Sequence, residues 1–222
     1  MTTALNAGLE AFHSYMVEAV EAGKGKEWRA GGRATKALPN KEDGAWWGSN
    51  GPSMVQGYYQ WRLKNPTMSI WHTADGVPAI ELEINVTLPG GIVLKCFIDR
   101  IFQDPQGNLM IVDLKTGKEP TNSLQLATYA LAVKQQFGID IKYGSYWMAR
   151  EAKLGTIHDL DFMPRDMVAR WIRDVDKAIK AEIFVPNLTS WCNSCGLQKS
   201  CYAYGEEKYK PSFNSDLEES NE

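Results

Sequence analysis

Between Ala79 and Thr116 the hydrophobic period becomes two and stays so through two turns, which restricts this stretch to an antiparallel meander. Ile80, Leu82, Ile84 and Val86 alternate with Glu81, Glu83 and Asn85, and Pro89-Gly90-Gly91 follows as a turn. Ile92 to Phe102 reads as a second strand. Asp104-Pro105-Gln106-Gly107 has the residues of a type I turn, and Leu109 to Thr116 reads as a third strand.

The flanks have a helical period. Leu5, Leu9, Phe12, Met16, Val17 and Val20 place a helix over residues 4–22. Gly51-Pro52-Ser53 is expected to open a second one, because proline suits the first turn, running through Val55, Tyr58, Tyr59 and Trp61 to Lys64. After the meander come a helix from Ser123 to Phe137, a strand from Ile141 to Arg150 and a helix from Asp166 to Ile183. The order is that of a mixed α/β domain.

Hydrophobic residues are 44% and charged residues 23% of the 222, which is globular composition. No apolar run approaches the roughly 20 residues that span a bilayer, and MTTALNAGLEAF lacks the pattern of a secretory leader. The chain is therefore expected in the cytoplasm, with no membrane partner and with cysteines present as thiols or metal ligands. The formal charge of -3 hides an asymmetry: without residues 206–222, an acidic tail read as a solvated extension, 22 basic and 21 acidic residues leave +1. Gly23 to Lys36 carries five basic residues against Glu27. It reads equally as a phosphate-tracking loop and as a solvated linker.

The chemistry lies in the second hairpin. Asp99 stands seven residues before Gln106 and Asp113 seven after, so a symmetric hairpin sets the carboxylates opposite each other, with Cβ atoms roughly 4.5–5.5 Å apart. Lys115 shares the face of Asp113. The same count about Gly90 pairs Glu81 with Asp99. Opposed like charges destabilise a sheet unless a divalent cation lies between them or one carboxyl is protonated. Hard oxygen ligands suit Mg²⁺ or Mn²⁺. The alternative is a structural cluster neutralised by Arg100 and Lys115. Gln125 and Tyr129 lie on one face of the next helix.

IDRIF, then IVDLKTGK, then LQLATYA resembles the core of the PD-(D/E)XK nuclease superfamily, in the branch of RecB-type and CRISPR-associated exonucleases. The resemblance covers Glu81 to Tyr129 closely. It implies an α/β, restriction-endonuclease-like core of helix, three-stranded meander, helix and strand, with extra N- and C-terminal helices. Residues 1–205 would form one nuclease domain, with a cysteine segment at 186–205. It implies metal ligation by Asp99, Asp113 and the backbone carbonyl of Leu114, catalysis by Lys115, and supporting or DNA-positioning roles for Gln125 and Tyr129. Glu81 matches an acidic position this branch often carries. Many members have a histidine ligand on the preceding helix; here GPSMVQGYYQW offers Gln56 near that place, a neutral and weaker donor. His72 is the nearest histidine in sequence and reads as incidental.

Cys192, Cys195 and Cys201 form C-x2-C-x5-C, a spacing that can grip a metal or cluster. It is similar to the end of relatives in which a further, N-terminal cysteine completes an iron–sulfur cluster. Residues 1–95 contain no cysteine, so a three-cysteine cluster, one completed by a histidine such as His13, zinc, and no metal all stay open. Cys96, of opposite parity to Asp99, reads as a small buried hydrophobe. Trp46, Trp47, Tyr58, Tyr59 and Trp61 read as core residues, with base stacking as the alternative.

The expectation is a Mg²⁺- or Mn²⁺-dependent DNA exonuclease of recombination, repair or replication. Its stand-alone size resembles bacteriophage-encoded members, which act in the host cytoplasm. No G-x4-G-K-[ST] loop occurs, so a helicase or a single-strand annealing protein would be a separate chain. The rivals are a non-catalytic DNA-binding or assembly module of the same fold and a structure-selective endonuclease.

Overall fold

The computed structural model describes residues 2–22, 42, 44–187, 189, 192 and 195–203, in two compact units, Met1–Arg173 and Asp174–Glu222. The basic stretch Gly23–Lys36 and the tail 206–222 lie outside the described residues. Among those described, no helix is long and apolar enough to cross a membrane.

The first unit is a sheet with helices on both faces. Its helices are α1 (Thr2–Glu21), α2 (Gly44–Lys64), α3 (Leu124–Phe137) and the first part of α4 (Arg165–Lys180). The strands are β1 (Ser69–Ile70), β2 (Ile80–Leu88), β3 (Ile92–Gln103), β4 (Leu109–Lys115), β5 (Tyr143–Met148), β6 (Lys153–Leu154) and β7 (His158–Asp159). The sheet order is β1-β3-β4-β5-β6, with β2 also on β3 and β7 on β5. All pairings are antiparallel except β4 with β5, which are parallel and joined by α3. A parallel pair needs such a crossover, because a tight turn can only reverse the chain.

The α3 side holds the larger core. Leu82, Ile84, Val86, Leu88, Cys96, Ile98 and Ile111 of the sheet pack with Leu126, Ala127, Ala130, Leu131 and Val133. Cys96 is thus the buried small hydrophobe expected, and burial raises its thiol pKa. α3 ends where Gly138 turns left-handed (φ 72°) and its N–H returns to the Lys134 carbonyl, a glycine cap. The opposite face buries Phe102, Val112, Trp147 and Ala149 beneath Met54, Tyr58 and Trp61 of α2. Tyr58 and Trp61 are therefore core aromatics.

α2 begins at Gly44, earlier than the proline implied, and Pro52 lies inside it. Proline there removes the bond to the carbonyl four residues back. The turns around it are tied by side chains instead: Ser49 Oγ to the Ala45 carbonyl, Asn50 Nδ2 to that of Trp46, Ser53 Oγ to that of Asn50. Gly51 is buried where α1 crosses, and a Cβ there would fall 2.0 Å from Phe12 Cζ. The last helix starts at Arg165 and ends at Lys180, short of Ile183, and the fourth long strand is trimmed to Tyr143–Met148.

Candidate active site

Two strands kink at one place. Ala79 and Leu82, like Ile98 and Ile101, are three residues apart yet buried in one core, so the alternation slips by one on both. Glu81, between the first two, takes a left-handed φ of 50°, uncommon for a residue with a Cβ. Its side chain is 65% exposed and approaches Arg100 Nη1 at 3.5 Å. The count about Gly90 holds on either side of it, since Leu82 pairs with Ile98 and Ile80 with Arg100. The kink nevertheless directs Glu81 toward Arg100 and solvent.

The β3–β4 ladder runs from Gln103↔Leu109 to Arg100↔Val112 and stops one step before Asp99 would meet Asp113. There the Asp99 side chain takes over, with Oδ2 accepting the Leu114 N–H at 2.7 Å. The Arg100 guanidinium bonds the Asp99 carbonyl.

Asp113 is 2% exposed. Its Oδ1 accepts from Gln125 Nε2 at 3.0 Å, and Gln125 Nε2 also donates to the Tyr129 hydroxyl at 2.8 Å. Lys115 Nζ lies 2.6 Å from Asp113 Oδ2 and donates to Gln125 Oε1 at 2.9 Å. The Gln125 amide can sit only one way round, since reversal would set its oxygen against the carboxylate and its NH₂ against the ammonium. Asp113, Lys115, Gln125 and Tyr129 are thus one network.

The electrostatics are those of a crowded anionic pocket. Burial pushes the Asp113 carboxyl up, Asp99 adds to this, and Lys115 and a hydrogen bond from Tyr129 oppose it. Burial likewise raises the Tyr129 phenol. Asp113 Oδ2 is closed to solvent and takes no well-aligned hydrogen bond, only the Lys115 charge. A buried anionic oxygen without a full complement of donors suits a cation. The donors at hand, two carboxylates and the Leu114 backbone, are hard oxygens that fit Mg²⁺ or Mn²⁺. Among the described residues, no three of His, Cys, Asp and Glu are grouped to hold a metal.

Gln56 is on the exposed side of α2, and among the described residues no hydrogen bond joins it to either aspartate. His72 is exposed and bridged to Pro78. In the second unit Cys192 and Cys201 are part-exposed, Cys195 is exposed, and the Thr189 N–H donates to Cys192 Sγ at 3.4 Å.

Three supporting residues escape sequence reasoning. Tyr146 is the β5 partner of Asp113, gives its hydroxyl to the Asn122 carbonyl at 3.0 Å, and presents its ring 5.8 Å from Lys115 Nζ. Burial, with Asp113 nearby, pushes its phenol up to about 12. Arg150 donates from Nε to the Thr116 carbonyl and forks onto Glu42 at 2.7 and 2.9 Å. Glu119 Oε1 accepts the Thr156 N–H at 2.7 Å. Together they pin the loop between Lys115 and Gln125. Parallel register and contacts 108 residues apart leave no local signal.

Residues 3–202 match the family model of the PD-(D/E)XK nuclease superfamily. The chain is 31% identical over 191 residues to the Gene 69 protein of Mycobacterium phage D29, covering 77% of this chain and 69% of that protein. It is 35% identical over 130 residues to the Gene 69 protein of Mycobacterium phage L5, covering 56% of this chain and 44% of that one.

Proposed function

Because the chain belongs to the PD-(D/E)XK nuclease superfamily, we propose that it is a Mg²⁺- or Mn²⁺-dependent deoxyribonuclease, an exonuclease serving phage recombination, repair or replication in the host cytoplasm. The observation that carries this reading is the closed Asp113–Lys115–Gln125–Tyr129 network with Asp99 at the end of a broken ladder. The phage origin of both relatives supports the biological setting.

Asp99, Asp113 and the Leu114 carbonyl would hold the cation, which when bound supplies Lewis-acid stabilisation to the scissile phosphate. Asp99, already anchored on the Leu114 N–H, keeps one oxygen fixed and the other free to ligate. Lys115 brings a positive charge to the carboxylate pair and is the group to orient the attacking water and meet the developing negative charge. Gln125 fixes the Lys115 ammonium in place by accepting from it while donating to Asp113. Tyr129 holds the far end of that amide. Gln56 is a weak supplementary ligand in this reading, and Cys192, Cys195 and Cys201 are the donors of an iron–sulfur or zinc staple of the C-terminal segment.

The test is cleavage of end-labelled linear and closed circular DNA with Mn²⁺, Mg²⁺ or EDTA. Asp113→Asn and Lys115→Ala should each lose at least about a hundredfold in rate while keeping the wild-type melting profile. Wild-type cleavage by Asp113→Asn would remove the site, and cutting of the circle as fast as of the linear form would replace exonuclease with endonuclease.

A further inference from the structure

The Asp113–Lys115–Gln125–Tyr129 network holds the tip of the Lys115 side chain and leaves open what holds its root. The β3 ladder has stopped at Arg100↔Val112, so Lys115, at the end of β4, has β5 alone as a strand partner. Its rung with Met148 is the last, and the Ala149 N–H adds a bond to the Lys115 carbonyl at 2.8 Å. One residue further along both chains, a side chain continues what the ladder began: Arg150 donates from Nε to the Thr116 carbonyl. The same guanidinium is gripped elsewhere. Nη1 and Nη2 fork onto the two Glu42 oxygens at 2.7 and 2.9 Å, and the Trp46 ring centroid lies 4.8 Å from its central carbon. The Glu42 side chain is 13% and that of Arg150 34% exposed, which shields the pair from screening. Glu42 makes the fork with a left-handed φ of 57°. The turn behind Arg150 is equally constrained: Ala152 has φ 49°, and a Cβ on Gly57 of α2 would fall 2.7 Å from Ala152 Cβ. Such backbone strain persists only where the surroundings over-determine it.

We propose that Arg150 is a positioning residue for Lys115, and that Glu42 is the lock that aims it. The inference rests on the nuclease reading and deepens it by naming what fixes the root of the lysine that meets the phosphate. A guanidinium suits this task. Its N–H groups lie in one rigid plane, so fixing two of them on Glu42 aims a third at Thr116. An ammonium would keep the charge and lose the direction. Lys115 Nζ contacts Asp113 and Gln125 at rest, and it must also meet the negative charge that develops on the phosphate. Contacts at the tip are exchanged in that step and those at the root are not. A fixed root therefore keeps the ammonium in range, and small misplacements are costly there. Arg150 acts through the Thr116 peptide and does not itself touch the substrate.

The test compares wild type, Arg150→Lys, Arg150→Ala and Glu42→Gln in cleavage of linear DNA with Mn²⁺, with Tm measured alongside. Both Arg150 variants should lower kcat about tenfold or more with KM changed less than twofold, and Glu42→Gln should lower kcat less. Adding Glu42→Gln to Arg150→Ala should lower it no further, because the lock has nothing left to aim. Independently of turnover, amide hydrogen exchange over residues 113–118 should quicken in Arg150→Lys and in Glu42→Gln, while that of residues 92–98 stays as in wild type. Arg150→Ala that melts earlier but keeps its kcat per folded molecule overturns the positioning role. A raised KM with unaltered kcat also overturns it, by placing Arg150 on the DNA itself. Either result leaves the nuclease standing. Wild type that cuts nothing overturns the nuclease, and the exchange over 113–118 then decides the lock alone, unchanged exchange in Arg150→Lys removing it.

Discussion

β3 takes part in two hairpins with opposite outcomes. With β2 it pairs eight positions, from Leu88↔Ile92 to Ile80↔Arg100, and lines one side with buried Ile84, Val86 and Leu88. With β4 it pairs four and then stops at Arg100↔Val112. Apart from the step at Glu81, the first hairpin satisfies its backbone with backbone and supplies core. In the second, a side chain, Asp99, substitutes for the missing rung, and the acidic and basic groups gather where the rung is lost. A sheet built only for stability would continue the ladder, because each unpaired buried backbone group costs free energy. The interruption marks where this fold gives up packing for chemistry.

Ile84→Ala gives that division its most severe trial. Ile84 is 1% exposed in the first hairpin, so truncation should cost about 2–5 kcal/mol, read from urea unfolding, with specific activity per folded molecule unchanged. Activity that falls with stability would show the first hairpin to be part of the catalytic apparatus.

Tyr129→Phe refines the comparison from the other side. It removes the hydroxyl that accepts from Gln125 and so holds the amide that donates to Asp113. The loss should cut kcat about tenfold while costing only about 0.5–1.5 kcal/mol of stability. A protein that melts far earlier, with unaltered turnover, would move Tyr129 to the scaffold.

The smallest effect is expected at Glu119, at the edge of the second region. The Thr156 N–H holds its carboxyl below the ordinary glutamate value. A depressed folded-state pKa contributes stability above the unfolded value, roughly 4.3, and loses it as pH falls through the folded one. Glu119→Gln should therefore flatten the acid limb of a Tm-against-pH curve by lowering the neutral plateau slightly while the two proteins converge at low pH. An identical acid limb in both proteins would show that this latch holds nothing.

Much of this was legible in the sequence, for local reasons. Strand alternation and turn residues fix hairpin register, so counting outward from Gly90 and Gln106 found the alignments of β2 with β3 and of β3 with β4. Helical spacing brought Gln125 and Tyr129 together. Three things were not legible. The kink at Glu81 is a cooperative distortion of two strands, and alternation by itself sets Glu81 beside Asp99. The early start of α2 depends on side-chain bonds around Pro52, whereas the usual rule puts proline in a first turn. Tyr146 enters through a parallel pairing whose register is set by the packing of α3 on the sheet.

That pairing bears on the order in which the molecule becomes itself. Asp113 meets Tyr146, and Lys115 meets Met148, only across the whole of α3, and contacts of long sequence separation close slowly. The two hairpins are local and can form before the chain beyond them is made. A growing chain that has only its hairpins therefore carries Asp113 and Lys115 without the partners that α3 and β5 bring to them. They become one unit only after α3 has docked and β5 has been laid beside β4, so the capacity to act on a phosphodiester arrives late, with the finished fold.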